Sequence, residues 1–427
     1  MGASWMMWSK MRLSACLIML LGVAATADDS PYELTGHTKL RFVGTTFSSD
    51  SVLHELTGSE SLDLGGDLRL NFQASGGRWT FDTAYQLIGL YGDRVEYTRG
   101  LPPAADLFFR RFPNDDRRLF NITEVMHDRD KEALLHRLDR LWVGYTSEKT
   151  VVRLGRQAIT WGNGLFYAPM DLVNPFDPAT IDTEYKAGDD MLYLQYLQDN
   201  GNDLQAAVVM RRNLLSGDVE TEGATVSLKY HGFTGESEYD LLVAEHYDDI
   251  VVGVGGTRSF GGAVLSGDIV LTDTDNDTYL QVVANWNYSW TWGGRNVSGA
   301  LEYHFNGFGQ NDGRYDPLSL AANPDLLLRL ARGEMFTVGR HYLAGSMMIE
   351  MSPLWTLTPT MLMNVADPSA LLQLVSTRSL SDNLTFLGSL NLPVGPNGSE
   401  FGGIESGSDG LYLSSGPGIF AQLAWYF

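Results

Sequence analysis

The chain has 427 residues, a formal net charge of −22 and one cysteine, Cys16. This acidic balance argues against nucleic-acid binding, which requires a basic surface, and a single cysteine cannot form an intrachain disulfide. The apolar run of the N-terminal segment is too short for a membrane-spanning helix and no other apolar run is long enough, so a helical inner-membrane protein is excluded.

The N-terminal segment predicts a secretory signal peptide. Lys10 and Arg12 supply the positive charge, residues 13–23 form the apolar region, and Ala25-Thr26-Ala27 is a small-residue cleavage site. We therefore predict a signal peptide over residues 1–27 and a single β-barrel domain over residues 28–427.

After the predicted signal peptide, many segments show the alternation of apolar and polar residues that is typical of β-strands. In residues 61–73, Leu62, Leu64, Leu68 and Leu70 alternate with polar residues, which is typical of a strand with one apolar face. The patterns predict an all-β fold, a transmembrane antiparallel β-barrel of 16–18 strands with 18 favoured. The predicted strands are 35–47, 61–73, 78–90, 137–145, 150–156, 191–198, 203–210, 224–230, 236–246, 250–259, 263–271, 278–291, 296–305, 340–351, 354–364, 369–380, 384–392 and 417–427.

Connection lengths support this assignment, because long and short connections alternate along the chain. Short periplasmic turns and longer extracellular loops are typical of outer-membrane barrels. The predicted extracellular loops 1 to 9 are 48–60, 91–136, 157–190, 211–223, 247–249, 272–277, 306–339, 365–368 and 393–416. A barrel of this size is expected to enclose an aqueous lumen.

The C-terminal strand is the most apolar part of this pattern. Ile419, Ala421, Leu423 and Trp425 alternate with other residues up to Phe427. We predict that Phe427, Trp425 and Leu423 form an assembly signal read by the barrel-assembly machinery. We also predict that the outer surface of the barrel contacts outer-membrane lipid and lipopolysaccharide.

Loop 2 lies in the only basic region of an acidic chain. Residues 94–156 contain 13 Lys and Arg against 10 Asp and Glu. If the loop folds inward, its arginines would focus positive potential and select anions. Alternatively, they pair with nearby aspartates or meet lipopolysaccharide phosphates. The arginines concerned are Arg110, Arg111, Arg117 and Arg118, and the aspartates are Asp106, Asp115, Asp116 and Asp128.

Loop 3 is unusually apolar and rich in proline for an exterior loop. Such a segment is expected to pack inside the barrel or over its mouth, and we predict that loops 2 and 3 narrow the lumen. The residues predicted to form the constriction in loop 3 are Trp161, Phe166, Tyr167, Asp171 and Phe176.

Alternation also assigns charged side chains to the lumen. We predict bases on one side and acids opposite them, which would create a transverse field favouring polar solutes. The bases are Lys39, Arg41, Arg69, Arg78 and Arg153, and the acids are Asp63, Asp67, Asp82 and Glu302.

Catalytic and metal motifs are not recognisable. None of the eight histidines lies in a nucleophile or zinc motif. Asp273, Asp275 and Asp277 are spaced like the start of a calcium loop, but Thr278 and Ala284 stand where an EF-hand needs Gly and Glu. We predict no enzyme activity, cofactor or metal, with a loose external calcium site left open. In loop 7, residues 325–332 predict a short helix with Asn323 as N-cap and Gly333 after its end.

The sequence LGRQAITWGNGLFYAPMDLVNPFDP, followed by EYKAGDDMLY, resembles porin-like outer-membrane proteins of proteobacteria. These are loosely similar to alginate-export-type barrels, which pass an anionic polysaccharide along an arginine-lined lumen. Substrate-specific 18-stranded porins that take up small carboxylates are a comparable analogy.

These patterns together predict an outer-membrane channel for passive passage of small polar or anionic solutes, such as saccharides or carboxylates. A substrate-specific exporter or importer of the alginate-export type and a non-conducting structural barrel remain as alternatives.

Overall fold

The computed structural model describes residues 30–101, 112–213 and 216–427. The predicted signal peptide, Arg110 and Arg111 lie outside the described residues.

The described chain forms a closed antiparallel β-barrel of 18 strands, which confirms the favoured strand number. Sequential strands pair with one another, and β1 pairs with both β2 and β21, so the first and last strands meet at a closing seam. The wall strands are β1 (Tyr32–Thr46), β2 (Glu60–Gly76), β3 (Trp79–Gly92), β5 (Glu132–Thr146), β6 (Thr150–Gln157), β7 (Asp189–Leu197), β8 (Asp203–Arg212), β9 (Val219–Thr234), β10 (Ser237–His246), β11 (Asp249–Phe260), β12 (Ala263–Asp273), β13 (Thr278–Trp292), β14 (Arg295–Asn306), β15 (His341–Ser352), β16 (Trp355–Asn364), β17 (Ser369–Ser381), β18 (Leu384–Val394) and β21 (Gly418–Tyr426).

The remaining elements lie in the loops. In loop 2, β4 (Thr123–Arg129) pairs with the start of β5, so part of the predicted loop is a hairpin. A two-stranded sheet in loop 9 consists of β19 (Ile404–Glu405) and β20 (Tyr412–Leu413). The helices are α1 (Val52–Thr57), α2 (Asp93–Gly100), α3 (Pro317–Ala321) and α4 (Pro324–Arg332). The predicted caps of α4 are confirmed, because Asn323 accepts from the Leu326 N–H and Gly333 has a φ of 72°.

Short turns fix the register at the periplasmic rim. Gly261 and Gly262 join β11 to β12, and Gly293 and Gly294 join β13 to β14, all four with positive φ. A two-residue turn of this kind needs positive φ at both positions, which glycine adopts without steric cost.

The two faces of the wall differ in chemistry as the alternation predicts. Leu40 is 53% exposed on the outer face of β1, and Leu423 is 42% exposed opposite it on β21. Lys39 and Gln422 point inward and are only 2% and 3% exposed. Closure leaves no unpaired edge in the wall, as a membrane-spanning sheet requires. The fold is therefore a transmembrane barrel of the outer-membrane type.

The largest apolar core lies inside the barrel. Trp161, Met170 and Val173 of loop 3 pack against inward side chains of the wall, including Val209 and Val251. Loop 3 therefore folds into the lumen, where burial of its apolar side chains stabilises it.

Candidate functional site: the lumen and its constriction

Loop 3 crosses the lumen from one wall to the other. On one side, the Trp161 indole N–H donates to Gln205 of β8 at 2.7 Å. On the other side, Asp182 accepts from Lys39 of β1 at 2.7 Å. Between these contacts, Gln373 of β17 donates to the carbonyl of Ala179 at 3.0 Å. The loop is the main obstruction in the described lumen.

Glu302 holds the first half of loop 3 through backbone N–H groups. Its carboxylate accepts from Leu165 at 2.6 Å, from Phe166 at 3.1 Å and from Tyr167 at 2.8 Å. The turn requires Gly164, because a Cβ there would lie 1.8 Å from the Tyr167 carbonyl oxygen. The tight turn at Gly164 thus directs the three backbone amides that follow it toward a wall carboxylate.

Asn163 connects the same turn to two further wall carboxylates. Its side-chain amide donates to Asp268 of β12 at 2.8 Å and to Asp240 of β10 at 3.1 Å. Its backbone N–H donates to the other Asp268 oxygen at 2.8 Å. Lys229 balances Asp240 at 2.9 Å. The acidic wall formed by Asp240, Asp268 and Glu302 is therefore occupied by loop 3.

A buried ion pair closes the base of loop 3. The Lys186 ammonium lies 2.6 Å and 2.5 Å from the two Asp171 oxygens and donates to the Ile159 carbonyl at 2.5 Å. Burial raises the pKa of Asp171 to about 6, although Lys186 opposes that shift. Since a buried charge without its partner is costly, this pair holds Lys186 against the middle of the loop, and the bond to the Ile159 carbonyl joins the two ends of the loop.

Opposite the acidic wall lies an arginine cluster around Asp139 of β5. Its carboxylate contacts Arg69 at 2.8 Å, Arg137 at 2.6 Å and Arg140 at 2.8 Å. The β3–β5 register shifts at Asp139, so Arg140 joins Arg137 and Asp139 on the lumen side. Asp82 of β3 is the next acid, close to Arg140 and Arg69. The excess of bases over acids makes this the cationic wall.

The structure places most predicted lumen residues on that cationic wall. Arg41 pairs with Asp67 of the adjacent strand at 3.2 Å, and Arg153 stacks 5.1 Å from the Trp142 ring. Asp63 accepts from the Arg94 backbone N–H at 2.8 Å. The predicted opposition is therefore wrong for three acids: Asp63, Asp67 and Asp82 lie beside the bases, and only Glu302 lies across the lumen.

Arg78 is a second correction. It lies in the β2–β3 turn with an exposed side chain that donates to the Tyr145 hydroxyl at 3.1 Å. The strand pattern included Arg78 because a polar residue next to Trp79 continues the alternation. Strand β3 begins at Trp79, one residue later than predicted, so Arg78 lies in the turn at the periplasmic rim.

The described part of loop 2 lies at the extracellular rim, and its arginines Arg117 and Arg118 bind protein groups there. Arg118 pairs with Asp115, which also accepts from Arg156 at 2.8 Å. Although burial raises it, these arginines lower the pKa of Asp115 to about 2. Arg117 donates to the Ala331 carbonyl at the end of α4. The described part of loop 2 therefore joins loop 7 at the rim and supports the pairing alternative for Arg118.

Loops 7 and 9 cover the extracellular end of the lumen near the seam between β1 and β21. Leu326 and Leu330 of α4 pack with Phe308 and with Ile404 of loop 9. Beneath loop 9 lies a cavity of about 240 Å³ whose lining includes Val43, Asn391, Glu400 and Phe401. Glu400 accepts from the Tyr342 hydroxyl at 2.7 Å and from Asn364 at 2.8 Å. Space therefore remains beside loop 3 on the extracellular side.

Several residues of the site were missed by sequence reasoning. Under strict alternation Arg137 and Asp139 share a face but Arg140 points to the other face, and the register shift brings Arg140 to the same side. Tyr185 was missed because a loop has no periodicity; its ring lies 4.1 Å from the Arg69 guanidinium. The sequence RLDR, with three charges in four residues of a strand, was the available signal.

The described residues contain no group of three or more His, Cys, Asp or Glu side chains placed to hold a metal ion. None of the helices in the described ranges is long and apolar enough to span a membrane.

Comparison with known proteins places the fold among outer-membrane porins. No family model and no curated protein matches the chain. Acinetobacter baumannii OccAB3 superposes with a TM-score of 0.53 at 9% identity, covering 92% of this chain and 99% of that one. Pseudomonas aeruginosa OccK5 (OpdH) gives 0.52 at 9%, covering 92% and 97%. Acinetobacter baumannii OccAB4 gives 0.52 at 6%, covering 94% and 99%. These similarities support a porin-like barrel and give no support to the alginate-export type.

Proposed function

We propose that the protein is an outer-membrane channel for passive passage of small polar and anionic solutes. The observation that carries this proposal is the asymmetric lumen. Loop 3 covers the acidic wall, where Asn163 binds Asp268 and the Tyr167 amide binds Glu302. The cationic wall keeps three arginines around the single carboxylate of Asp139. A solute passing the constriction would therefore move along positive potential, which favours anions.

The constriction favours small solutes over a polymer. Loop 3 bonds to both walls and its apolar side chains are buried against the lumen wall. An exporter of an anionic polysaccharide would need a continuous lumen wide enough for a chain of sugars. We therefore infer a channel for small solutes, with lipid and lipopolysaccharide around the barrel and folding through the barrel-assembly machinery.

Single-channel recording of the refolded protein in a planar bilayer under a salt gradient tests this function. We expect a small, stable conductance with a reversal potential on the anion-selective side. A variant lacking residues 160–185 should conduct more, because the obstruction is removed. Refolding of this variant is checked by its circular dichroism, and shortening of α4 in loop 7 provides a control. A folded barrel that conducts in neither form would instead be a structural barrel.

A further inference from the structure

The tip of loop 3 binds the closing seam of the barrel through two carboxylates. The Lys39 ammonium lies 2.7 Å from Asp182 and 2.8 Å from Glu184, and the Lys39 side chain is only 3% exposed. The Tyr426 hydroxyl donates to Glu184 at 2.8 Å. Lys39 belongs to β1 and Tyr426 to β21, so both donors are part of the wall and the acids come from the loop.

A further polar atom of the wall faces this contact without a hydrogen-bond partner. His37 is two residues from Lys39 and is 1% exposed; its Nε2 lies 3.8 Å from an Asp67 oxygen, but its Nδ1 has no hydrogen-bond partner. Its ring lies 5.3 Å from the Tyr185 ring and 5.8 Å from the Tyr426 ring. The seam therefore has one more polar group than the loop satisfies.

The loop tip itself is at the surface of the lumen. Glu184 and Tyr185 are exposed, whereas Lys39 is buried beneath them. Separate contacts hold the chain on either side: Gln373 binds the Ala179 carbonyl, and Arg140 binds the Lys186 carbonyl at 2.5 Å. The tip can consequently leave the seam without disturbing the apolar core that Trp161 and Met170 form elsewhere.

Both carboxylates of the tip are held in the charged form. Burial raises the pKa of Asp182 and of Glu184, but hydrogen bonds and charge from Lys39 outweigh that effect and lower both pKa values. A single ammonium thus receives two anionic groups separated by one residue, which is the arrangement that a short dicarboxylate would present.

We propose that Lys39, His37 and Tyr426 form a binding site for a small dicarboxylate, and that Asp182 and Glu184 are its internal occupant. A solute dicarboxylate competes with the tip, and its binding releases residues 180–185 from the seam. This inference rests on the proposed channel function, since it places a solute in the lumen. Lys39 and the tip are then specificity-determining parts of the constriction.

Calorimetric titration of the full-length protein in detergent with succinate tests the competition. The double variant Asp182→Asn/Glu184→Gln should bind succinate about tenfold more tightly, because the apparent affinity of a site rises when a competing state is removed. Glu405→Gln/Asp409→Asn removes two exposed acids from loop 9 and should leave the affinity unchanged. An unchanged or weaker affinity of the first variant would overturn the proposal.

Further experiments distinguish the contribution of the wall residues to binding from the response of the loop. Tyr426→Phe removes one hydroxyl donor and should weaken succinate binding severalfold with little effect on folding, and Lys39→Gln should abolish binding. Succinate should bind at least tenfold more tightly than propionate, and equal affinities would contradict a dicarboxylate site. Hydrogen exchange at residues 180–186 should accelerate when succinate is added, and unchanged exchange would contradict release of the tip.

These readouts do not depend on conductance. If succinate competes with the loop acids for Lys39 in a barrel that fails to conduct, the proposed channel function is refuted and the proposed binding site stands. A conducting barrel in which the loop acids have no effect on succinate binding would refute the site and leave the channel.

Discussion

Arg69 on β2 and Asp139 on β5 form an ion pair of 2.8 Å although β3 lies between their strands. The pair bridges the inner surface of the wall, and Arg137 and Arg140 reach the same carboxylate. One acid thus orients several bases that all face the constriction.

Charge reversal at Arg69 should change ion selectivity. Arg69→Glu replaces a buried base of the cationic wall with an acid, so the reversal potential should move toward the cation-selective side by several millivolts or more. Arg78→Glu makes the same change in an exposed periplasmic turn and serves as the matched control. Equal shifts in the two variants would contradict the assignment of Arg69 to the constriction.

Loss of the Glu302 carboxylate should free the first half of loop 3. Glu302→Gln replaces the charged acceptor of three backbone N–H bonds, and bonds to a charged group contribute about 1.5–3 kcal/mol each. Hydrogen exchange at residues 165–167 should show a local opening free energy lower by about 3 kcal/mol. Glu350→Gln is the control, since its carboxylate accepts from Asn296 on the wall. Unaltered exchange would show that apolar packing alone holds the loop.

A side chain at position 164 should displace the loop 3 turn. Gly164→Ala puts a Cβ 1.8 Å from the Tyr167 carbonyl oxygen, so the backbone must move. Overpacking of this kind costs about 1–3 kcal/mol, and we expect a larger, noisier single-channel conductance. Gly66→Ala is the control, because no atom lies within 4 Å of a Cβ built there. A conductance identical to that of Gly66→Ala would mean that this turn does not set the constriction.

Glu400 should make stability depend on pH. Burial raises the pKa of Glu400 to about 7, above the ordinary value near 4.3. Between those two values the folded protein binds more protons than the unfolded chain, so stability falls as the pH rises toward 7 and stays lower above it. Thermal unfolding should therefore show a lower midpoint at pH 8 than at pH 5.

The variant Glu400→Gln isolates that contribution. It keeps an acceptor oxygen for the Tyr342 hydroxyl and removes the ionisation. Its midpoint should change less between pH 5 and pH 8 than that of the unaltered protein. Asp171, whose pKa burial raises to about 6, contributes equally in both proteins and cancels from the comparison. Parallel pH curves would contradict the assignment to Glu400.

The sequence by itself determined the barrel. Lipid on one side and a polar lumen on the other impose a period of two, which is visible wherever Leu62, Leu64, Leu68 and Leu70 alternate with charged residues. Connection lengths supported the strand number and assigned the loops and turns to the two rims, and the composition of loop 3 predicted that it packs inside the barrel or over its mouth; the structure places it inside.

Only the tertiary structure decided which charges meet. Alternation assigns a face but not a neighbour across the barrel, so it put Asp67 opposite the bases although that residue pairs with Arg41 next to it. The Arg69–Asp139 contact joins strands that are not neighbours in the wall. The contact of Asp182 with Lys39 joins residues 143 positions apart through a loop without periodicity. Local patterns carry no information about such contacts, because they depend on the path that loop 3 takes once its apolar side chains are buried.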